Sequence, residues 1–226
     1  MVYFYNGYFF SNNEKAKIIP LIDGVMYGYG LFETIKIRNF KPIYLDEHLV
    51  RLKSSLDILN IKTKYSNEDI KNIIEALIER NRFNGALKIT IVKNNNFSDL
   101  IIMMKKSNYN IKDYEKGFNL IISDVARNST SKVARLKTTN YLENLLEFKE
   151  AKNQGFDEVI FFNEKFFLAE GAISNIFIVK NNKLYTPSLE NGLLNGIMRM
   201  KVIRECGMDV IEMNITKDFL ENADEV

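Results

Sequence analysis

The chain has 226 residues, enough for one large domain or two small ones, and its 46% hydrophobic content is ample for buried cores. Its 31 basic against 29 acidic residues leave a formal charge of +2 with no long run of one sign, which argues against a nucleic-acid footprint but leaves small anionic substrates open to local pockets. A single cysteine, Cys206, excludes an intramolecular disulfide and a thiolate metal cluster, no stretch reaches the length of a membrane span, and Met1 to Gly7 carries no basic segment followed by a long apolar core. The setting these features imply is a reducing cytoplasm.

Val2 to Tyr5 and Tyr8 to Phe10 are aromatic-rich runs on either side of Asn6-Gly7, a strong hairpin signal, so the chain is expected to open with two antiparallel strands. Leu31 to Ile37 alternates and is β-rich, Asn39-Phe40 turns it, and Pro42 to Leu45 returns. Asp46 is placed to cap a helix running through Leu59, with Leu49, Leu52, Leu56 and Leu59 on its apolar face. Ser66 and Glu68 to Asn81 predict a second helix, followed by strands at Ala86 to Val92 and Leu100 to Met104. The polar, lysine-rich and aperiodic segment from Lys105 to Lys116 reads as a linker between two domains.

Phe118 to Ser123 predicts a strand, and the apolar run Val133 to Leu136 a shorter one, with Thr138, Thr139 and Asn140 supplying capping side chains for a helix that continues to about Gly155. Lys137 therefore falls where a strand hands over to a helix. Fixed backbone on both sides suits a Schiff-base lysine better than a solvated charge. Glu158 to Phe162, Phe166 to Ala169, Asn175 to Val179 and Lys183 to Tyr185 read as a strand-rich sheet, with Asn181-Asn182 as a turn. A last helix from Ile197 to Cys206 precedes the segment Asp209 to Met213.

Two positions carry a chemical reading of their own. His48 is the only histidine, which excludes most metal sites and a serine triad, so it is read as packing or as support for a neighbour. Arg51 lies three residues further along the same helix face, within reach of pairing with Asp46 or Glu47.

Several strings, in order, carry a resemblance: Tyr27-Gly28-Tyr29-Gly30-Leu31-Phe32-Glu33-Thr34, Glu47 to Leu52, Lys137-Thr138-Thr139-Asn140, Glu170 to Asn175, and Thr186-Pro187 followed by Asn195-Gly196-Ile197-Met198-Arg199. The chain resembles the class IV pyridoxal-phosphate aminotransferases and lyases, the fold-type IV family that holds branched-chain aminotransferase, D-amino-acid aminotransferase and aminodeoxychorismate lyase. The resemblance implies an α+β fold of two domains. A smaller N-terminal α/β domain would span residues 1–108, a linker residues 109–116, and a larger strand-rich pyridoxal-phosphate domain residues 117–226. It also implies a cofactor between the domains, a homodimer, and one more strand and loop beyond Val226.

Residue by residue, the resemblance makes Lys137 the Schiff-base lysine and proton-moving amine, and Glu170 the carboxylate that pairs with the protonated pyridine nitrogen. Arg51 would reach the phosphate, as would the amides of Gly196, Ile197 and Met198 at the start of the last helix, with Met198 standing where many members carry threonine. Asn175 holds the turn after Glu170, or equally bonds within that turn. Leu194 packs on the ring face, or equally is plain core. Tyr27 and Thr34 fall on the motif that lines the substrate side, although Tyr29 replaces the aspartate common between the two glycines.

The strings from Lys137 to Asn144, Tyr185 to Pro187 and Asn195 to Arg199 look most like aminodeoxychorismate lyases, which implies cleavage of 4-amino-4-deoxychorismate to 4-aminobenzoate and pyruvate in folate synthesis. Transamination of branched-chain or D-amino acids is the alternative. The segment Leu87 to Lys93 lacks the arginine and histidine that D-amino-acid aminotransferases place there, and Lys88 or Lys93 could replace the charge that some lyases carry just after it. A non-catalytic dimeric binding protein that keeps the fold is a further alternative, opposed by the joint presence of Lys137, Glu170 and Arg51.

Overall fold

The computed structural model describes residues 1–11, 14, 22–106 and 115–226. It divides into two compact units, one of Met1–Tyr109 with Lys137–Asn140 and one of Asn110–Leu136 with Tyr141–Val226. Among the described residues no helix is long and apolar enough to cross a membrane.

The first unit is a six-stranded sheet in the order β2-β1-β6-β5-β3-β4, from β1 (Val2–Tyr5), β2 (Tyr8–Ser11), β3 (Gly30–Arg38), β4 (Lys41–Pro42), β5 (Gly85–Asn94) and β6 (Phe97–Lys105). Every pairing is antiparallel. Tight turns build the hairpins: Asn6 and Gly7 have φ of 45° and 102°, and Asn39 and Phe40 have φ of 52° and 57°, the left-handed pairs that match strand twist. Helix α1 (Asp23–Met26) is a single turn that packs near β5, while α2 (Leu45–Ile58) lies on β3 and α3 (Asn67–Asn81) on β1 and β6.

Period-two alternation decides what faces the helices. Leu31, Ile35 and Ile37 of β3, Leu87, Ile89 and Ile91 of β5, and Leu100, Ile102 and Met104 of β6 are all buried, and the register sets Leu31 against Ile91 and Ile91 against Leu100. They meet Leu49, Leu52 and Leu56 of α2 and Ile70, Ile74, Leu77 and Ile78 of α3 as the buried core. Glu33 shares that inward phase at 1% exposure.

The second unit holds two three-stranded sheets, β7-β8-β9 and β10-β11-β12. The first comprises β7 (Leu120–Ile122), β8 (Glu158–Phe162) and β9 (Leu168–Gly171), and the second β10 (Ile178–Lys180), β11 (Lys183–Pro187) and β12 (Val210–Met213). Helices α4 (Leu142–Asn153), α5 (Ile197–Glu205) and α6 (Lys217–Glu221) complete it. One cluster of Ile160, Leu168, Ile176, Ile178 and Ile215 and another of Ala151, Val159, Phe161 and Ala172 form its cores.

Several expectations are corrected. Val133 to Leu136 is not a strand: Ala134 N–H donates to Ser131 O at 3.2 Å and Leu136 N–H to Val133 O at 3.0 Å, so the run closes into turns. A four-residue apolar run carries too little periodicity to separate the two. Thr138, Thr139 and Asn140 do not cap α4, whose N-cap Tyr141 has no side-chain cap bond. They join the free edge of β3 instead, through a Leu31–Thr138 bridge and a Phe32 N–H to Lys137 O bond of 2.8 Å. Lys137 thus belongs with the first unit, not with the segment 117–226. Asp46 sits inside the first turn of α2, because Tyr44 in the left-handed region (φ 55°) is the N-cap and the helix starts two residues early. The return strand after Phe40 shrinks to Lys41–Pro42, and α6 follows the helix expected to be last, capped by Thr216. The linker at 109–116 lies mostly outside the described residues.

Ser66 caps α3 through a reciprocal box, its hydroxyl accepting from Asp69 N–H while the Asp69 carboxylate accepts from Ser66 N–H. Ser66→Ala is expected to cost about 1 kcal/mol, read as a lower urea midpoint with an unchanged slope.

Candidate active site

Lys137 is positioned by backbone. With β5 on one side of β3 and the 137–140 segment on the other, Phe32 lies between two lysines: Lys88 Nζ stands 4.4 Å and Lys137 Nζ 4.5 Å from its ring centroid. Thr34 is the direct cross-strand partner of Lys88. Burial first, and then the charge of Lys105, hold the Lys88 ammonium below the ordinary lysine range. The sheet therefore gathers Phe32, Thr34, Lys88 and Lys137 on one face. Lys93 is placed differently: it pairs with Asp23 at 3.0 Å and lies 4.5 Å over Tyr29. Tyr27 is 71% exposed, beside Gly28, whose φ of 62° and carbonyl bonds from Thr139 Oγ1 (2.5 Å) and Asn140 Nδ2 (3.0 Å) tie this motif to the lysine segment.

Asp46 bonds Lys71 at 2.7 Å, and Arg51 pairs with Glu33. Its Nε donates to Glu33 Oε1 at 2.8 Å and its Nη2 to Glu33 Oε2 at 2.6 Å, while His48 Nδ1 lies 2.7 Å from Oε2. Glu33 is the residue that sequence reasoning passed over. The signal was present: on an alternating strand it shares the phase of Leu31, Ile35 and Ile37, where a charge has to find a cation. His48 and Arg51, one helical turn apart, supply the partners.

In the second unit Glu170 closes β9, with its Oε2 accepting from Leu194 N–H at 3.0 Å. The turn after it is held by side chains from α4, its approach and β8. Tyr141 Oη and Asn144 Nδ2 (2.7 Å) both donate to Ala172 O, and the buried Glu158 accepts from Ile173 N–H at 3.3 Å and Ser174 Oγ at 3.0 Å. Burial, then the negative charge of Glu170, push the Tyr141 phenol up to about 12. Arg127 stacks on Phe161 at 3.7 Å. Asn175 Nδ2 donates to Leu194 O at 2.9 Å. Gly196 is the N-cap of α5, which has no side-chain cap bond and no acidic residue in its first turn. The amides of Ile197 and Met198 therefore begin a helix whose N-cap, a glycine, offers no side-chain acceptor.

Burial pushes the Glu33 carboxyl up, but the hydrogen bonds and charges of His48 and Arg51 together hold it below the ordinary glutamate range. A depressed folded-state value stabilises the fold above the unfolded value, about 4.3, and that stabilisation is lost as pH falls through the folded value. Glu33→Gln is expected to destabilise by about 3 kcal/mol at pH 7, with the gap to the parent protein narrowing below about pH 4. Urea unfolding at pH 7 and at acid pH checks both.

The chain is similar, at 28% identity over 235 residues, to the aminodeoxychorismate lyase of Bacillus subtilis (strain 168), covering 96% of this chain and 78% of that protein. It is similar at 30% over 237 residues to the D-alanine aminotransferase of Bacillus licheniformis, covering 98% and 82%. Its fold matches the branched-chain aminotransferase of the thermophilic archaeon Thermoproteus uzoniensis, solved with norvaline, with a TM-score of 0.88 at 25% identity over 99% of this chain and 81% of that one. Three different reactions stand at similar distances, so these likenesses speak to the family and not to the substrate. The family model for amino-transferase class IV matches residues 30–226, from the first residue of β3 through the second unit, and the chain belongs to that family of pyridoxal-phosphate-dependent enzymes.

Proposed function

We propose that this protein is a pyridoxal-phosphate-dependent lyase that converts 4-amino-4-deoxychorismate to 4-aminobenzoate and pyruvate. The residues present fit the cofactor. It needs an amine, a carboxylate and a dense set of donors, and the chain offers Lys137, Glu170 and an α5 N-terminus without a side-chain cap. Within the first unit Lys137 and Arg51, and separately within the second Glu170, Asn175, Leu194, Gly196, Ile197 and Met198, are the residues whose chemistry fits it.

When bound, the cofactor supplies an electron sink for negative charge at the substrate carbon that bears the amine. Lys137 would supply the amine that holds the cofactor and the base that takes the proton from that carbon. Glu170 keeps the ring nitrogen protonated through its charge. Departure of pyruvate leaves an aromatic ring, and that gain supplies much of the driving force.

The observation that carries the lyase over the aminotransferase is the second ammonium beside Lys137. Lys88 lies against the same Phe32 ring, opposite Thr34, and a substrate with two carboxylates suits such a face. Two chains are taken to assemble as a homodimer, a reading supported by Leu142, Leu145 and Leu146 on α4, which are 68%, 53% and 56% exposed.

Lys137→Ala is expected to abolish the visible absorption band of the cofactor-loaded protein and to lower turnover by at least about 10²-fold. Lys88→Gln should keep the band and raise KM for 4-amino-4-deoxychorismate by about tenfold, the loss of one charge-assisted contact. Fluorescence of 4-aminobenzoate follows the reaction. A band without fluorescent product, but with half-transamination by a D- or branched-chain amino acid, would move the assignment to an aminotransferase.

A further inference from the structure

Leu194 to Gly196, the approach to α5, is held from three directions inside the second unit. Glu170 Oε2 accepts from Leu194 N–H at 3.0 Å and Asn175 Nδ2 donates to Leu194 O at 2.9 Å, so both polar backbone atoms of one residue are taken by side chains from the end of β9 and the segment after it. Arg199 Nη1 donates to Asn195 Oδ1 at 3.3 Å, and Arg199, 2% exposed, is itself anchored by Nη2 to Pro187 O at 2.9 Å and Glu212 Oε2 at 2.5 Å. The backbone of Gly196 passes so close to Asn175 that a Cβ there would overlap Oδ1. Its φ of −65° is open to any residue. Glycine is needed at this point for close approach, not for backbone freedom.

We propose that Asn175 is a positioning residue that aims the amides of residues 196–198 at the cofactor phosphate. Glu170 is the other half of the same clasp, so the group that faces the ring nitrogen also fixes the start of the phosphate cradle. This rests on the reading that the chain binds pyridoxal phosphate. The physical basis is directional: fixing both the N–H and the C=O of Leu194 fixes the two peptide planes on either side of it. Hydrogen bonds from amides to a phosphate weaken steeply when the angle opens. Losing the Asn175 amide frees one plane and leaves the ring end of the site untouched.

The test is a titration of cofactor-free protein with pyridoxal phosphate and, separately, with pyridoxal, which has the same ring and no phosphate, each followed by the visible band. Asn175→Ala and the isosteric Asn175→Asp, which cannot donate, are expected to raise Kd for pyridoxal phosphate about tenfold while changing Kd for pyridoxal less than about twofold. Gly196→Ala should do the same. In the Asn175→Ala background it should add little, because the atom it strikes has gone. Equal losses for both ligands in the Asn175 variants, or no loss for either, would overturn the inference. A parent protein that shows no band with pyridoxal phosphate would sink the cofactor reading and this inference with it, whereas a parent that binds normally beside variants with an intact phosphate preference sinks the inference alone.

Discussion

A carboxylate at 1% exposure, Glu33, sits on the core face of β3 with Arg51 and His48 upon it, and much of the first unit depends on that contact. An ionised carboxyl cannot stay in such a place alone, since its desolvation costs several kcal/mol before any partner is counted. A bidentate guanidinium answers it with two parallel bonds, and geometry of that kind fixes the donor as firmly as it satisfies the acceptor. The same helix that carries His48 and Arg51 to Glu33 buries Leu49, Leu52 and Leu56 against the sheet. An apolar trio could fill the same volume at no loss of stability. What the charged trio adds is a guanidinium held in one orientation by two hydrogen bonds to one carboxylate.

The same economy of parts recurs in the second unit. Glu170 is read as the partner of a ring nitrogen, yet one of its oxygens fastens Leu194, and Asn175 fastens the other side of the same residue. Tyr141, Asn144 and Glu158 hold the intervening turn by its backbone. In both units a chemically assigned side chain is also a structural bond. Such dual use is how a site is held within the fraction of an ångström that electrostatic stabilisation demands.

Much of the fold could be read from residue order, and the failures have identifiable causes. The hairpin at Asn6-Gly7, the alternation in β3, the box at Ser66 and the turn at Asn181-Asn182 announce themselves because each depends on neighbours in the chain. Val133 to Leu136 misled because four apolar residues carry no period, and Thr138 to Asn140 because capping residues serve equally well as partners for a strand edge distant in sequence. Glu33 was hidden inside a motif string, although its phase on the strand pointed inward.

By itself, the order of residues determined the family, the two kinds of layer, and pyridoxal phosphate as the family's cofactor. Those properties follow from short-range pattern and from residue type, which survive without knowledge of distant contacts. Only the tertiary structure decided that the 137–140 segment extends the β3 edge, that Lys88 and Lys137 share one aromatic ring, that Arg51 pairs with Glu33, and that Asn175 grips Leu194. Each of these joins residues separated by many positions in the chain. Pairing across such separations is set by sheet register and by the requirement that buried polar groups find partners, and neither is written in any local window.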